Sequence, residues 1–276
     1  MSRNLSAEII ASGTELLLGD HVDTNSAYIS QQLRDLGIDV YYHTTVGDNA
    51  RRLQAVIEIA LTRANLIIIT GGLGPTVDDI TREAVAAAVG QPLVFRPELL
   101  EQIAARFARF GRTMSDNNRR QAYIPASATA IPNPVGTAPA FRIEKDDAII
   151  IALPGVPAEM RYLMENAVIP YLHQLISTGT IVTRVLHTAG IGESQVDSLI
   201  ADLMTGSNPT VGLAAHPGQT DIRITAKAAT PDEARAMIMP VEVVIRQRLS
   251  NHIYGVDGER LAIVIAQIAQ EHHYHL

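Results

Sequence analysis

Over the first 175 positions, short apolar runs alternate with stretches in which apolar residues recur every three or four places. Ala7 to Ala11 is a short apolar run ending in Ser12-Gly13 and predicts a first strand. Thr24 to Leu36 predicts a helix, with Asp23 or Thr24 as its N-cap and Gly37 at its C-terminal end. Val40 to Val46 predicts a second strand, stopped by Gly47-Asp48-Asn49. Asn49 is placed to cap a helix through Ala64 whose one face carries Leu53, Val56, Ile57 and Ala60. Leu66 to Thr70, LIIIT, is continuously apolar, as a strand buried on both faces of a parallel sheet is. A glycine-rich loop, Gly71 to Thr76, leads into a helix from about Asp79 to Val89. Strand–helix repeated three times predicts an open α/β sheet with right-handed crossovers.

Further along, Pro97 to Phe110 has the spacing of an amphipathic helix. Ala138 to Ile143 and Ala148 to Leu153 flank a charged turn and predict a hairpin. Pro157 to Leu175 predicts a mostly helical segment that Pro170 kinks or breaks. The texture changes around Ser177-Thr178-Gly179. Beyond it come a β-branched run (Ile181 to Ala189), a short helix (Ser194 to Met204), a strand pair (Val211 to His216 and Thr220 to Lys227) and a helix (Asp232 to Leu249). This predicts a separate α+β domain over residues 177–252. Residues 253–276, with a last helix from Gly255 to His275, read as a connector or terminal helix, and residues 1–176 as the larger α/β domain.

Composition narrows the chemistry. The chain has 276 residues, 47% hydrophobic and 18% charged, enough to bury a core and too apolar for disorder. It has no cysteine, which removes disulfides, zinc–thiolate sites and cysteine nucleophiles together. The net charge of −7 without a dense basic stripe disfavours duplex-DNA binding, and four Phe, eight Tyr and no Trp offer few stacking platforms for single strands. With no long apolar span and no signal-like N-terminal run, a cytoplasmic protein without membrane contact is expected.

The sharpest local feature is Thr70-Gly71-Gly72-Leu73-Gly74-Pro75-Thr76-Val77-Asp78-Asp79, between a buried strand and a helix. It is neither a Walker A loop nor GxGxxG. It is either a tight turn with Asp79 as a helix cap or a phosphate loop whose glycines let the backbone approach a ligand. Three predicted strand ends each carry a carboxylate: Glu15, Asp48, and Asp78 or Asp79. In a parallel sheet these ends share one edge, where clustered acids either cap helices or face a divalent cation. Arg119 and Arg120 stand near a turn-rich segment, Asn133 to Pro139, that is either a plain loop or a ligand wall. Leu153-Pro154-Gly155-Val156-Pro157 repeats the strand–glycine–helix pattern. The histidines are scattered, His272, His273 and His275 in the terminal tail, and there is no HExxH or GxSxG.

GTELLLGDHVDTNSAYISQQL, TVGDN, IIITGGLGPTVDDITREAVA, NPVGTAPAF and ALPGVPAEM, in this order, resemble the CinA family. The resemblance implies a three-layer, mostly parallel α/β fold like that of the molybdopterin-binding MogA, MoaB and MoeA proteins. Residues 180–250, with Gly190-Ile191-Gly192-Glu193-Ser194, resemble the family's KH-like middle domain. No GXXG lies between two helices there, so nucleic-acid binding is not expected. Longer family members carry a nicotinamide-nucleotide amidase domain. Ile253 to Glu259 resembles the connector to it, and amidase activity is not expected here.

The resemblance further implies a metal-dependent pyrophosphatase that cleaves ADP-ribose to AMP and ribose 5-phosphate. The alternative is a molybdopterin-type phosphate-ligand binding or adenylate-transfer domain that hydrolyses nothing. Carried over, Asp48, Asp79 and Glu15 are the expected catalytic residues, and with Asp23 the expected metal ligands, Glu15 being the candidate base. Gly71, Gly72, Gly74 and Thr76 match the phosphate loop. Asn25, Arg119, Arg120, Gly136 and Gly155 complete the expected substrate contacts. The expected cofactor is a divalent cation (Mg²⁺, Mn²⁺ or Co²⁺), with K⁺ as a further candidate. A small nucleotide is the expected substrate, and a homodimer the expected assembly.

Overall fold

The computed structural model describes residues 5–176 and 180–271. The change of texture at Ser177-Thr178-Gly179 and the histidines His272, His273 and His275 lie outside the described residues. The chain divides into two compact units, Met1–Ser177 and Thr178–Leu276.

In the first unit the elements run β1 (Ser6–Ser12), α1 (Thr14–Leu18), α2 (Thr24–Asp35), β2 (Asp39–Val46), α3 (Ala50–Leu61), β3 (Leu66–Thr70), α4 (Thr81–Val89), β4 (Leu93–Phe95), α5 (Pro97–Arg109), a 3₁₀ segment (Asp116–Ala122), β5 (Tyr123–Pro125), β6 (Thr129–Ile131), β7 (Ala140–Lys145), β8 (Ala148–Leu153), α6 (Pro157–Leu163), a π turn (Met164–Val168) and α7 (Ile169–Leu175). The main sheet has the order β2-β1-β3-β8-β7-β6. Its first four strands are parallel, β7 pairs antiparallel with β8, and β6 pairs antiparallel with β7. Alternation along β3 divides the core between two faces. Ile67 and Ile69 pack with Leu53, Ile57, Val85 and Ile103 of α3, α4 and α5. Leu66 and Ile68 pack with Ile29, Leu33, Leu163 and Leu172 of α2, α6 and α7. Helices on both faces of a sheet give the three-layer α/β architecture.

Register sets the site. Ser12 pairs with Val46, Ala11 with Thr70, and Thr70 with Leu153, so the carboxyl ends of four parallel strands lie on one edge. Local chemistry fixes the helices that leave that edge. Asp23 caps α2 by accepting from Ser26 N, and Asn49 caps α3 by accepting from Arg52 N. One expectation about the helices needs correction. Asp79 does not cap α4: the cap position is Ile80, and no side chain bonds there. Residues 14–18 form a short helix that a three-leucine run in a loop did not announce. The irregularity expected at Pro170 falls in the π turn just before it, because a proline at the start of α7 lacks an N–H and crowds the preceding turn.

The second unit contains β9 (Thr180–Ala189), α8 (Glu193–Ile200), β10 (Thr210–His216), β11 (Gln219–Ala228), α9 (Pro231–Leu249), β12 (Ile253–Val256) and α10 (Leu261–Glu271). Its sheet is antiparallel, in the order β10-β11-β9-β12. The connector reading of residues 253–276 is therefore corrected at its start, since Ile253 to Val256 pair with β9. The Glu259 carboxylate accepts from Val256 N and ends β12 before the last helix begins.

Candidate functional site

The glycine loop after β3 is held from below. The Thr81 hydroxyl donates to Gly71 O at 2.8 Å, Thr81 N donates to Gly72 O, and Arg82 donates to Leu73 O at 2.7 Å and Gly74 O at 2.8 Å. Across a trans peptide the N–H points opposite to the C=O. Carbonyls drawn toward α4 therefore turn the N–H groups of Gly72, Leu73 and Gly74 to the other side. Among the described residues these three amides donate to no protein acceptor. A run of such amides is an anion-binding surface. Arg82 is only 1% exposed and stays charged under the loop, although burial pulls its pKa down. Gly71 has φ +105°, and a Cβ there would stand 2.1 Å from Ser12 O. The loop thus crosses β1 at backbone contact, which only glycine permits.

The loop forms one wall of a cleft of about 450 Å³ at the carboxyl edge of the sheet. Ser12, Glu15, Asp48, Gly71, Gly72, Gly74, Thr76, Asp79 and Gly155 line it, so most of the residues expected from sequence do come together. A second lobe of about 390 Å³ shares Ser12, Glu15, Gly71 and Gly155 and adds His21, Asp23 and Asn25. Asn25 is buried and donates to Thr70 Oγ1 and Gly155 O, tying β1's outgoing helix to β3 and β8.

The carboxylates are held individually. Asp48 accepts from Thr14 N at 2.9 Å, while its own N–H donates to the Thr14 hydroxyl oxygen at 3.0 Å. Asp79 turns back into the loop and accepts from Thr76 N at 2.8 Å and Thr76 Oγ1. Asp23 is engaged by Ser26 N. Glu15 is exposed on α1. The three aspartates are each engaged by a backbone amide, Asp23 and Asp79 within their own turns and Asp48 across to Thr14, and Glu15 stands apart from them on α1. Among the described residues no group of three or more His, Asp or Glu side chains could hold a metal ion alone. Carboxylate oxygens are the ligand type of a hard divalent cation, which can take as few as one or two of them.

Neither arginine expected at the phosphates lines the cleft. Arg119 stacks on the Phe95 ring, 5.0 Å from its centroid, and Arg120 donates to Thr76 O and Glu83, bracing the loop from outside. Gly136 stands behind the wall, against Glu159.

Four participants were not singled out from sequence. Glu159, half-buried on α6, lines the cleft, and burial raises its pKa against the Asn133 hydrogen bond and the Arg106 charge. Gln121 donates to Leu73 O, and its buried Oε1 has no partner; the buried Ser12 Oγ has none either. Arg82 had one available signal: an arginine on the apolar face of a helix, just after a glycine loop. Five carboxylates line the larger lobe (Glu15, Asp48, Asp78, Asp79 and Glu159), and no lysine, arginine or histidine does.

The family comparison places the first unit in the molybdopterin-binding class. Residues 8–174 match the family described as "Probable molybdopterin binding domain", and residues 183–255 match the "Damage-inducible protein CinA KH domain". The chain belongs to the CinA family. It is 48% identical over 265 residues to a competence-damage inducible protein of Clostridium botulinum (strain 657 / Type Ba4), covering 96% of this chain and 64% of that protein. A competence-damage inducible protein of Halothermothrix orenii is 45% identical over 262 residues, covering 95% of this chain and 63% of that protein. The chain thus spans somewhat less than two thirds of the length of these relatives. The crystal structure of CinA, a protein of unknown function from Thermoplasma acidophilum, superposes with a TM-score of 0.55 at 35% identity, over 59% of this chain and 96% of that one. No helix among the described residues is long and apolar enough to cross a membrane.

Proposed function

We propose that the first unit hydrolyses the pyrophosphate of ADP-ribose, or of a related nucleotide, to AMP and ribose 5-phosphate with a divalent cation. The observation that carries this reading is the pairing of three free loop amides with a cleft lined by five carboxylates and no basic side chain. The amides suit phosphate oxygens, while the carboxylates repel a polyanion unless a cation stands between them. Two lobes that meet at Ser12, Glu15, Gly71 and Gly155 suit a ligand with two arms joined by a diphosphate.

Asp48, Asp79 and Glu15 are the residues that would hold the cation, which when bound polarises phosphoryl oxygens and neutralises their charge. The chain's own groups do the rest. Gly72, Leu73 and Gly74 amides hold and orient phosphate oxygens, with Arg82 supplying positive potential from beneath. The Ser12 hydroxyl can donate to the same group, and Asn25, His21 and Asp23 border the arm in the second lobe.

The family description of residues 8–174 favours a second reading, binding of a molybdopterin-type phosphate ester without hydrolysis. The deciding experiment incubates the protein with ADP-ribose and Mg²⁺, Mn²⁺ or Co²⁺, with and without K⁺, and measures AMP. AMP that is released with a divalent cation and abolished by chelation supports the pyrophosphatase. No AMP under any condition, with tight binding of a molybdopterin precursor, selects the second reading.

A further inference from the structure

The Asn133-Pro134-Val135-Gly136 loop is built around one carboxylate. Asn133 Oδ1 accepts from Val135 N and Gly136 N, which closes the turn on its own side chain. Asn133 Nδ2 donates to Ala138 O at 2.9 Å and to Glu159 Oε2 at 2.6 Å. A Cβ on Gly136 would lie 1.9 Å from Glu159 Oε2 and 2.5 Å from Oε1. Gly136 has no left-handed backbone, and its lack of a Cβ leaves the Glu159 carboxylate the place it occupies beside the loop. Asn133 is thereby locked by four hydrogen bonds, one of which aims a half-buried carboxylate at the cleft. The other oxygen, Oε1, has no protein hydrogen-bond partner among the described residues.

We propose that Glu159 accepts the proton of the attacking water in hydrolysis at this cleft, with Asn133 as the residue that positions it. The proposal rests on the pyrophosphatase reading. The water oxygen bonds to phosphorus as the bridging P–O bond breaks, and the bridging oxygen departs with its electron pair on the leaving phosphate. The water's proton passes to Glu159 and then to solvent, and no further reactant is needed. Asp48 and Asp79 each have an oxygen on a backbone amide and Glu15 lies exposed, whereas Glu159 combines burial, fixation and a free oxygen. Burial raises its pKa. Arg106 of α5 and the Asn133 hydrogen bond oppose the rise, and Glu15, Asp48, Asp78 and Asp79 line the same cleft. A base whose pKa is raised toward the working pH is well matched to proton transfer.

The test uses the full chain with ADP-ribose and Mn²⁺, reading kcat and KM across pH and ADP-ribose binding by calorimetry. Glu159→Gln is expected to lower kcat by about 100-fold or more, to leave the dissociation constant unchanged, and to remove the acidic limb of the pH profile. Asn133→Asp keeps the acceptor that closes the turn and removes the donor to Glu159, so the acidic limb is expected to move to higher pH. Unaltered turnover with the limb in place in Glu159→Gln overturns the proposal. So does loss of ADP-ribose binding in step with activity, which marks a structural role. If Glu159→Gln does not fold, an unmoved limb in Asn133→Asp overturns it. Failure of the pyrophosphatase reading itself is seen separately, as absence of AMP release by the unsubstituted protein.

Discussion

The guanidinium of Arg82 lies buried 2.7 Å below the carbonyl oxygen of Leu73, and this bond sets which way the glycine loop presents its amides. With a second bond to Gly74 O, the side chain holds the carbonyls down and leaves the N–H groups facing the cleft. Arg82→Met removes both bonds, leaving Gly74 O without its partner and Leu73 O with only the longer Gln121 bond, a loss of about 2 kcal/mol or more. Urea denaturation is expected to show that drop, with nucleotide binding lost even where the variant is folded.

Asp79 engages Thr76 through a single oxygen, Oδ2, that accepts from both the backbone amide and the hydroxyl. Asp79→Asn retains an oxygen for those bonds and removes the charge. The fold is expected to persist, with an unchanged melting temperature, while cation-dependent AMP release falls by about 100-fold or more. Full metal-dependent turnover in this variant would falsify the role given to Asp79.

Gly71→Ala tests the close crossing of the loop over β1. The new methyl would sit 2.1 Å from Ser12 O at a backbone conformation that L-residues rarely adopt. Strain and clash together are expected to cost more than about 3 kcal/mol, seen as a shifted denaturation midpoint.

In the second unit, His187 on β9 meets an acceptor at each ring nitrogen, the Asp221 carboxylate at 2.6 Å and Asp257 O at 2.7 Å. Only the imidazolium donates to both. Burial works to lower its pKa, but the Asp221 hydrogen bond, the Asp257 carbonyl and the charges of both carboxylates outweigh burial, and the net shift is upward. A pKa raised in the folded state gives stability that is complete below the unfolded value of about 6.5 and is lost as pH rises through the folded value. Thermal melts are expected to show the second unit more stable at pH 6 than at pH 8, and Asp221→Asn to flatten that dependence. An equal stability at both pH values in the unsubstituted chain contradicts the assignment.

The strand ends and the glycine loop were legible because they rest on local rules. A continuous run such as LIIIT has few uses other than a doubly covered strand, and Asp23 and Asn49 cap the helices next to them. The roles of Arg119 and Arg120 were not legible. An arginine near a phosphate loop reads the same whether it meets the ligand or, as Arg120 does, braces Thr76 and Glu83. The pairing of Ile253 to Val256 with β9 also depends on a partner distant in sequence.

By itself, then, the sequence determined the α/β layering, the order of the elements and the glycine-bearing edge, since hydrophobic period, caps and glycines act over a few residues. Only the tertiary structure decided which carboxylates are engaged by backbone amides, and that Arg82 rather than Arg119 or Arg120 supplies the charge under the loop. It alone placed Glu159 in the space left by Gly136, 23 residues away in the chain. Those outcomes depend on which groups meet across the fold, and contact between distant residues is set by packing and hydrogen-bond satisfaction, not by neighbouring sequence.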